Sequence, residues 1–123
     1  MERPVNLNTA RVFVRDIEEA KNFYSGAFGL SITAGSSKHG YFIFDAGATT
    51  LVVELADGED RDLVGRFTGL SFDVPDAYAS YEELRPKGVT FNETPERQPW
   101  GGVTATLVDP SGNALQICEQ PRA

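Results

Sequence analysis

The sequence predicts an α+β fold in which two βαβββ modules form a curved mixed sheet around a concave cavity, with the helices on the outer face. Apolar residues alternate with period two in several short segments and recur every three or four residues in two others. The order strand, helix, strand, strand, strand occurs in the first half of the chain and again in the second. The motif Val14-Arg15-Asp16-Ile17 also returns, at an offset of 60 residues, as Val74-Pro75-Asp76-Ala77.

The first module opens with a strand that alternates around Phe13 and runs into Asp16. A carboxylate at this position is well placed to cap the following helix, and Gly29 ends that helix. Turns that contain Gly and Ser separate the later strands. The predicted elements are a strand at 10–14, a helix at 17–28, and strands at 30–33, 41–44 and 50–55.

The second module follows a connector at 57–66, whose charged run from Asp57 to Asp62 is typical of a solvated segment. Asp76 repeats the capping position, and Gly88 repeats the end of the helix. The predicted elements are a strand at 70–74, a helix at 77–84, and strands at 90–92, 103–108 and 114–118.

The length of 123 residues fits one domain that is large enough to bury a core. Hydrophobic residues make up 41% of the chain and charged residues 24%, as in ordinary globular proteins. We therefore expect a single domain over 1–123, with the first repeat at about 5–56 and the second at about 66–120.

The formal net charge of −7 argues against a nucleic-acid partner, because neutralising phosphates requires a basic surface. An acidic surface suits a cationic ligand, and it also keeps a protein soluble. We find no apolar stretch that could cross a membrane and no signal-peptide pattern, so we expect a cytoplasmic protein. The single cysteine, Cys118, is expected to be a small buried hydrophobic residue.

Period-two alternation predicts which side chains face the concave cavity, although a slip of one residue would invert a strand. The outer face of each sheet, against the helices, is expected to hold Val12, Val14, Leu51, Val53, Leu70, Phe72, Val74, Leu115 and Ile117. The inward face is expected to hold Thr9, Arg11, Phe13, Val52, Glu54, Gly69, Ser71, Asp73, Gln116 and Cys118.

Two stretches at opposite ends of the chain resemble the vicinal oxygen chelate superfamily, which includes glyoxalases, bleomycin-resistance proteins and dioxygenases. The first is 12–17, together with Phe23-Tyr24 and Phe28-Gly29-Leu30. The second is Asp109-Pro110-Ser111-Gly112-Asn113 and the strand after it, although Asp-Pro-x-Gly is by itself simply a tight turn. In this order, and across nearly the whole chain, the motifs favour the fold of that superfamily.

The resemblance implies that enzymes of this superfamily hold a divalent metal inside the cavity through His, Gln or Glu. Carried over by position, the four ligand sites fall on Thr9, Glu54, Gly69 and Gln116. Glu54 is a good ligand and Gln116 a weak one, whereas glycine has no side chain to offer. The only histidine, His39, is expected to be solvated in the 35–40 turn. We therefore predict no metal site and no cofactor.

Several inward-facing residues remain candidates for ligand binding. A carboxylate at the floor of a partly apolar cavity has a raised pKa unless a cation pairs with it, and Arg11 is the expected partner of Glu54. Two roles are then open to Glu54. It is either part of a structural ion pair, or it acts on a ligand, as a general base or as the carboxylate that binds a cationic ligand. Phe42 and Phe44 line the cavity if their strand keeps the same register. The run Gln98-Pro99-Trp100-Gly101-Gly102 resembles the closing half of bleomycin-resistance proteins, where a Pro-Trp-Gly segment lies beside the ligand groove. Trp100 is therefore expected either beside the ligand groove, as this resemblance implies, or in packing or a dimer interface.

Two functions are consistent with these residues. The favoured hypothesis is a binding protein that sequesters a cationic or aromatic small molecule, with Arg11, Phe13, Phe42, Phe44, Glu54, Ser71, Asp73, Trp100 and Gln116 at its ligand site. The alternative is an enzyme resembling a lyase or dioxygenase. It would be metal-dependent through Glu54 and Gln116, or metal-free with Glu54 as the catalytic base. The resemblance also implies a homodimer.

Overall fold

A computed structural model describes residues 5–122. The chain divides into two compact units, Met1–Val64 and Gly65–Ala123. Each unit contains one mixed sheet with a helix, so the predicted α+β class and the βαβββ order are confirmed. The single domain over 1–123 remains a prediction. The described part of the chain contains β1 (Thr9–Val14), α1 (Ile17–Lys21), β2 (Ser31–Ser36), β3 (Tyr41–Ala46), β4 (Thr49–Leu55), β5 (Phe67–Asp73), α2 (Ala77–Leu84), β6 (Thr90–Phe91), β7 (Glu96–Arg97), β8 (Val103–Val108) and β9 (Ala114–Glu119).

The sheet of unit 1 has the strand order β1-β4-β3-β2. β1 runs parallel to β4 in unbroken register, from Thr9 opposite Thr50 to Val14 opposite Leu55. The other two pairs of strands are antiparallel. Four residues of this sheet were predicted to face the helix, and all four are buried, as the alternation requires: Val12, Val14, Leu51 and Val53.

The predicted helix at 17–28 changes its hydrogen-bonding pattern part of the way along. The carboxylate of Asp16 accepts the backbone N–H of Glu19 at 3.0 Å, as expected for the cap. After α1, the segment Asn22–Ala27 is a π-helix, and the N–H of Phe28 bonds the carbonyl of Phe23 at 2.8 Å. This wider turn buries the neighbouring rings of Phe23 and Tyr24, which meet edge to face at 4.8 Å.

The backbones of β2 and β3 approach each other very closely at Gly35. This residue has a φ of +106°, and a Cβ placed there would lie 2.3 Å from the carbonyl oxygen of Tyr41 and 2.7 Å from the Cα of Phe42. The register shifts between Ile32 and Ala34, so β2 carries a bulge. Glycine is therefore required at position 35 by both backbone angle and space.

The sheet of unit 2 has the order β5-β9-β8-β6, with β7 paired to β8. β7 was not predicted, because two residues are too few to show period-two alternation. β5 runs parallel to β9 but bulges, since Phe67 lies opposite Ala114 whereas Ser71 lies opposite Gln116. The hydroxyl of Thr68 fills the gap in the ladder: it donates to the carbonyl of Ala114 at 2.6 Å and accepts the N–H of Leu70 at 3.1 Å.

The predicted tight turn between β8 and β9 is present and carries a buried polar network. Asp109 and Asn113 are 3% and 0% exposed. One carboxylate oxygen of Asp109 accepts the N–H groups of Ser111 and Asn113, and the other accepts the Asn113 amide at 3.0 Å. The amide oxygen of Asn113 accepts the N–H of Gly65 at 2.9 Å, which ties the turn to the residues before β5.

No helix between residues 5 and 122 is both long and apolar enough to cross a membrane.

Candidate functional site

The predicted pair of Arg11 and Glu54 is present on the face of the unit 1 sheet opposite to the buried Val12 and Val53. The guanidinium donates to both carboxylate oxygens, from Nε at 2.6 Å and from one terminal nitrogen at 3.0 Å. These hydrogen bonds, and then the charge of Glu54, raise the pKa of the Arg11 guanidinium. The same guanidinium lies 5.1 Å from the ring centre of Phe13. Three of the predicted ligand-site residues therefore form one cluster.

Phe42 and Phe44 do not line this face, so their predicted role is wrong. They lie opposite Val53 and Leu51 on β4, and residues that face each other across an antiparallel pair share one side of the sheet. Both rings are buried, and Phe44 packs against the ring of Tyr24 at 5.8 Å. They belong to the hydrophobic core under the helix.

Tyr41 takes the place that the sequence analysis gave to those two rings. It lies opposite Glu54 and is 37% exposed. The alternation along β3 was predicted correctly, but the residues were assigned to the wrong faces of the sheet. The signal that would have found Tyr41 is the pairing with β4, whose phase was predicted correctly.

A second polar cluster lies on the corresponding face of the unit 2 sheet. The hydroxyl of Ser71 donates to the amide oxygen of Gln116 at 2.9 Å. Asp73, two residues farther along β5, accepts the side-chain amide of Gln120 at 2.9 Å. Three predicted residues, Ser71, Asp73 and Gln116, are thus neighbours.

Cys118 lies beside this cluster and is buried, as expected. Burial raises the pKa of its thiol, the charge of Asp73 raises it further, and a hydrogen bond with Ser71 lowers it. Because burial has the largest effect, the thiol stays protonated at neutral pH. This environment does not favour a nucleophilic role, which needs the thiolate.

The ring of Phe67 is the most exposed aromatic group on this face. It is 80% exposed and borders a recess of about 70 Å³ that Gly69, Thr106 and Gln116 help to line. The bulge in β5 shapes this recess, and bulges often redirect side chains next to functional sites. Phe67 was not predicted as a site residue, because the predicted strand began at residue 70. Extending the alternation back from Ser71 would have found it.

The four positions that the resemblance assigns to metal ligands do not fit a metal. Thr9 lies opposite Thr50, whereas Glu54 lies opposite Phe13. The two positions are therefore about 13 Å apart along the strands, too far for their side chains to share one ion. Gly69 has no side-chain ligand atom, and the side-chain oxygen of Gln116 already accepts a hydrogen bond from Ser71. Within residues 5–122, no group of three or more His, Cys, Asp or Glu could hold an ion.

The internal repeat corrects one of these assignments. Ser71 lies opposite Gln116, and Arg11, sixty residues earlier, lies opposite Val52. The counterpart of Gln116 in unit 1 is therefore Val52, an apolar residue, and not Glu54. The register of the paired strands identifies Val52 as the equivalent of Gln116, whereas the short sequence motifs had pointed to Glu54.

His39 lies in the turn between β2 and β3 and is exposed, as predicted. Its Nδ1 is 2.8 Å from the hydroxyl oxygen of Ser36.

Trp100 lies in the turn after β7 and is 53% exposed. Its ring covers the backbone of Gly102 so closely that an added Cβ would lie 2.1 Å from one ring carbon. The turn is closed by a hydrogen bond from the N–H of Gln98 to the carbonyl of Gly102 at 2.7 Å. The ring is therefore held in place with much of its surface open to solvent.

We expect Gly102→Ala to displace the Trp100 ring, because the new methyl group would overlap it and also lie 2.9 Å from the carbonyl oxygen of Glu119. Stability should fall by about 1–3 kcal/mol. Trp100 is the only tryptophan, so its emission spectrum reports on this site alone. The matched control is Gly26→Ala, where the methyl group would meet nothing within 4 Å. Unchanged emission in Gly102→Ala would contradict the close packing of the Trp100 ring on Gly102.

Comparisons with known proteins match nearly the whole chain. A family model described as Glyoxalase/Bleomycin resistance protein/Dioxygenase superfamily matches residues 6–117. An uncharacterised Bacillus subtilis protein, YraH, is 29% identical over 87% of this chain and 92% of its own length. Together these matches span both modules.

Three solved structures illustrate the similarity. TnmS3, an antibiotic binding protein from a Streptomyces species, is 28% identical with a TM-score of 0.78 over 99% of this chain and 100% of its own. A superfamily member from Sphaerobacter thermophilus is 26% identical with a TM-score of 0.80, over 94% and 98% of the two chains. A lactoylglutathione lyase from Agrobacterium tumefaciens covers 96% of each chain with a TM-score of 0.74, but at 19% identity it is evidence of the fold alone.

Proposed function

Because the chain belongs to the Glyoxalase/Bleomycin resistance protein/Dioxygenase superfamily, we propose that it is a small-molecule-binding protein that sequesters a cationic or aromatic ligand without a catalytic metal. One observation carries the proposal: both carboxylate oxygens of Glu54 are bound by Arg11. Glu54 was the best metal ligand among the four positions assigned from the sequence, and the pairing register puts the apolar Val52 in its place. Taking a proton from a substrate would neutralise the Glu54 carboxylate and so weaken its ion pair with Arg11.

The similarity to an antibiotic binding protein supports a binding role. That structure is more similar in sequence than the lyase, whose identity is too low to support an activity. A binding role also needs no bound metal. The residues at the implied metal positions, Thr9, Val52, Gly69 and Gln116, do not provide a set of metal ligands.

The ligand chemistry is suggested by the exposed face of the unit 2 sheet. Phe67 offers an open ring for stacking, and Ser71 and Gln116 offer a hydroxyl and an amide for hydrogen bonds. Asp73 supplies a carboxylate on the same strand, in a chain of net charge −7. An aromatic ring stacks favourably on another ring and attracts a cation, by about 0.5–2 kcal/mol in each case. Arg11, Phe13 and Glu54 in unit 1, and Trp100 in unit 2, remain candidates for ligand binding within their own units.

Calorimetric titration with planar aromatic cations, such as proflavine and ethidium, tests the proposal. We expect at least one to bind with one site per chain, and Phe67→Ala to weaken that binding roughly tenfold. Tyr78→Ala is the matched control, because Tyr78 is a half-exposed aromatic residue of α2 in the same unit. Neutral and anionic aromatic compounds of similar size should bind more weakly.

Metal analysis of the dialysed protein provides the opposing outcome. Stoichiometric Ni, Zn, Fe or Mn that is lost in Glu54→Gln would overturn the proposal in favour of a metal-dependent enzyme. Absence of binding by every cation of the panel would remove the proposed ligand class.

A further inference from the structure

A cleft of about 740 Å³ opens at one end of unit 1, where β1 and β4 end and the turn at 36–40 connects β2 to β3. Its volume lies within the range of about 300–1,000 Å³ that is usual for small-molecule sites. Arg11, Phe13, Tyr41 and Glu54 are not among its lining residues, so the cleft is distinct from the proposed ligand face.

Basic side chains dominate the polar part of the lining. Arg15, Lys38 and Arg61 contribute cations, His39 contributes an imidazole, and Asp57 contributes one carboxylate. This local excess of positive charge stands in a chain whose net charge is −7. A concave site lined by charges of one sign concentrates ions of the opposite sign. The lining therefore favours an anion.

Two of these cations form no ion pair within the described residues. Arg15 forms an ion pair with Glu19 at 3.2 Å. In contrast, Lys38 and Arg61 have no ion-pair partner in the part of the chain from 5 to 122. Their ammonium and guanidinium groups keep all their hydrogen-bond donors available to a ligand.

The turn that carries Lys38 and His39 is fixed before any ligand arrives. The N–H of Gly40 bonds the carbonyl of Ser36 at 3.1 Å, and the carbonyl of Gly40 accepts the N–H of Leu55 at 2.8 Å. The hydroxyl of Ser36 holds the His39 ring through Nδ1. A site that is already ordered loses less conformational entropy when it binds.

The remaining lining is apolar. Leu55 is 42% exposed, and Ala56 and Val64 border the same cleft. An inorganic ion would leave this surface in contact with water, whereas a ligand with an apolar group would cover it. We infer that the cleft binds a small organic oxyanion, a carboxylate or a phosphate monoester that carries an apolar group. This inference does not depend on the function proposed above.

Chemical-shift titration of the full chain tests the inference. The probes are phenyl phosphate and benzoate, with inorganic phosphate and benzylammonium for comparison. We expect both aromatic anions to shift the amide signals of residues 36–40 and 55–61, with weaker binding as salt is raised. Lys38→Glu and Arg61→Glu should each weaken binding roughly tenfold. Lys87→Glu is the control, because it makes the same change of charge at an exposed position in unit 2.

The outcomes are distinct. Equal weakening by Lys87→Glu would mean that net charge alone attracts the anion, and would overturn the inference. Shifts confined to the sheet face around Arg11 would also overturn it. Equal affinity for inorganic phosphate would exclude the role of the apolar surface. Because the altered side chains are exposed, thermal unfolding of each variant should match that of the original chain.

Discussion

Gly35→Ala is expected to lower the free energy of unfolding by at least about 3 kcal/mol. Two costs add at this position. A φ of +106° disfavours any residue with a Cβ, and the new methyl group would overlap the backbone of β3 at Tyr41 and Phe42. Backbone atoms in a paired strand cannot move aside as a flexible side chain does. Relief therefore requires opening of the hairpin between β2 and β3.

Gly47→Ala separates these two costs. Gly47 has a φ of +89°, but a methyl group there would meet nothing within 4 Å. It should cost only about 1–2 kcal/mol, the usual penalty for the left-handed region. Urea unfolding of both variants measures the difference, with an unchanged slope as the check on two-state behaviour. Equal losses would show that the close contact at Gly35 contributes nothing.

Asn113→Ala should lower the free energy of unfolding by about 3 kcal/mol. The substitution removes an amide that bonds Asp109 and an oxygen that accepts the N–H of Gly65, all in a buried setting. The carboxylate of Asp109 keeps its two backbone donors but loses its side-chain donor. A buried charge with fewer hydrogen bonds is costly, so the loss exceeds that of a single exposed bond.

The matched control is Asn92→Ala, because Asn92 is an exposed asparagine of the same unit. Its substitution should change stability by less than about 0.5 kcal/mol. Amide hydrogen exchange adds a local measurement: in Asn113→Ala, the amide of Gly65 should exchange much faster than in the original chain. If that amide remained protected, the network would not connect the turn to β5 as described.

Local patterns predicted most of the fold. The caps at Asp16 and Asp76 and the outward faces of β1 and β4 depend on neighbours in the sequence, so one chain was enough to predict them. The π-helical segment and the bulge in β5 were missed. Both arise from packing and pairing with residues far along the chain, and such contacts override local preference.

The candidate site was predicted less completely for the same reason. The pair of Arg11 and Glu54 followed from alternation within two strands of known phase. Phe42 and Phe44 were assigned to the wrong face because the phase of β3 is set by its pairing with β4. Phe67 was missed because the strand boundary was placed three residues too late.

The bulge in β5 restricts how this scaffold can be redesigned. Gly69 stands at an implied ligand position with a φ of +75°, and the ladder around it holds more residues on β5 than on β9. A histidine substituted at that position would have to adopt an unfavourable backbone conformation. A histidine at this position alone would therefore strain the backbone of the bulge, and a redesign that places a coordinating side chain there has to change the bulge as well.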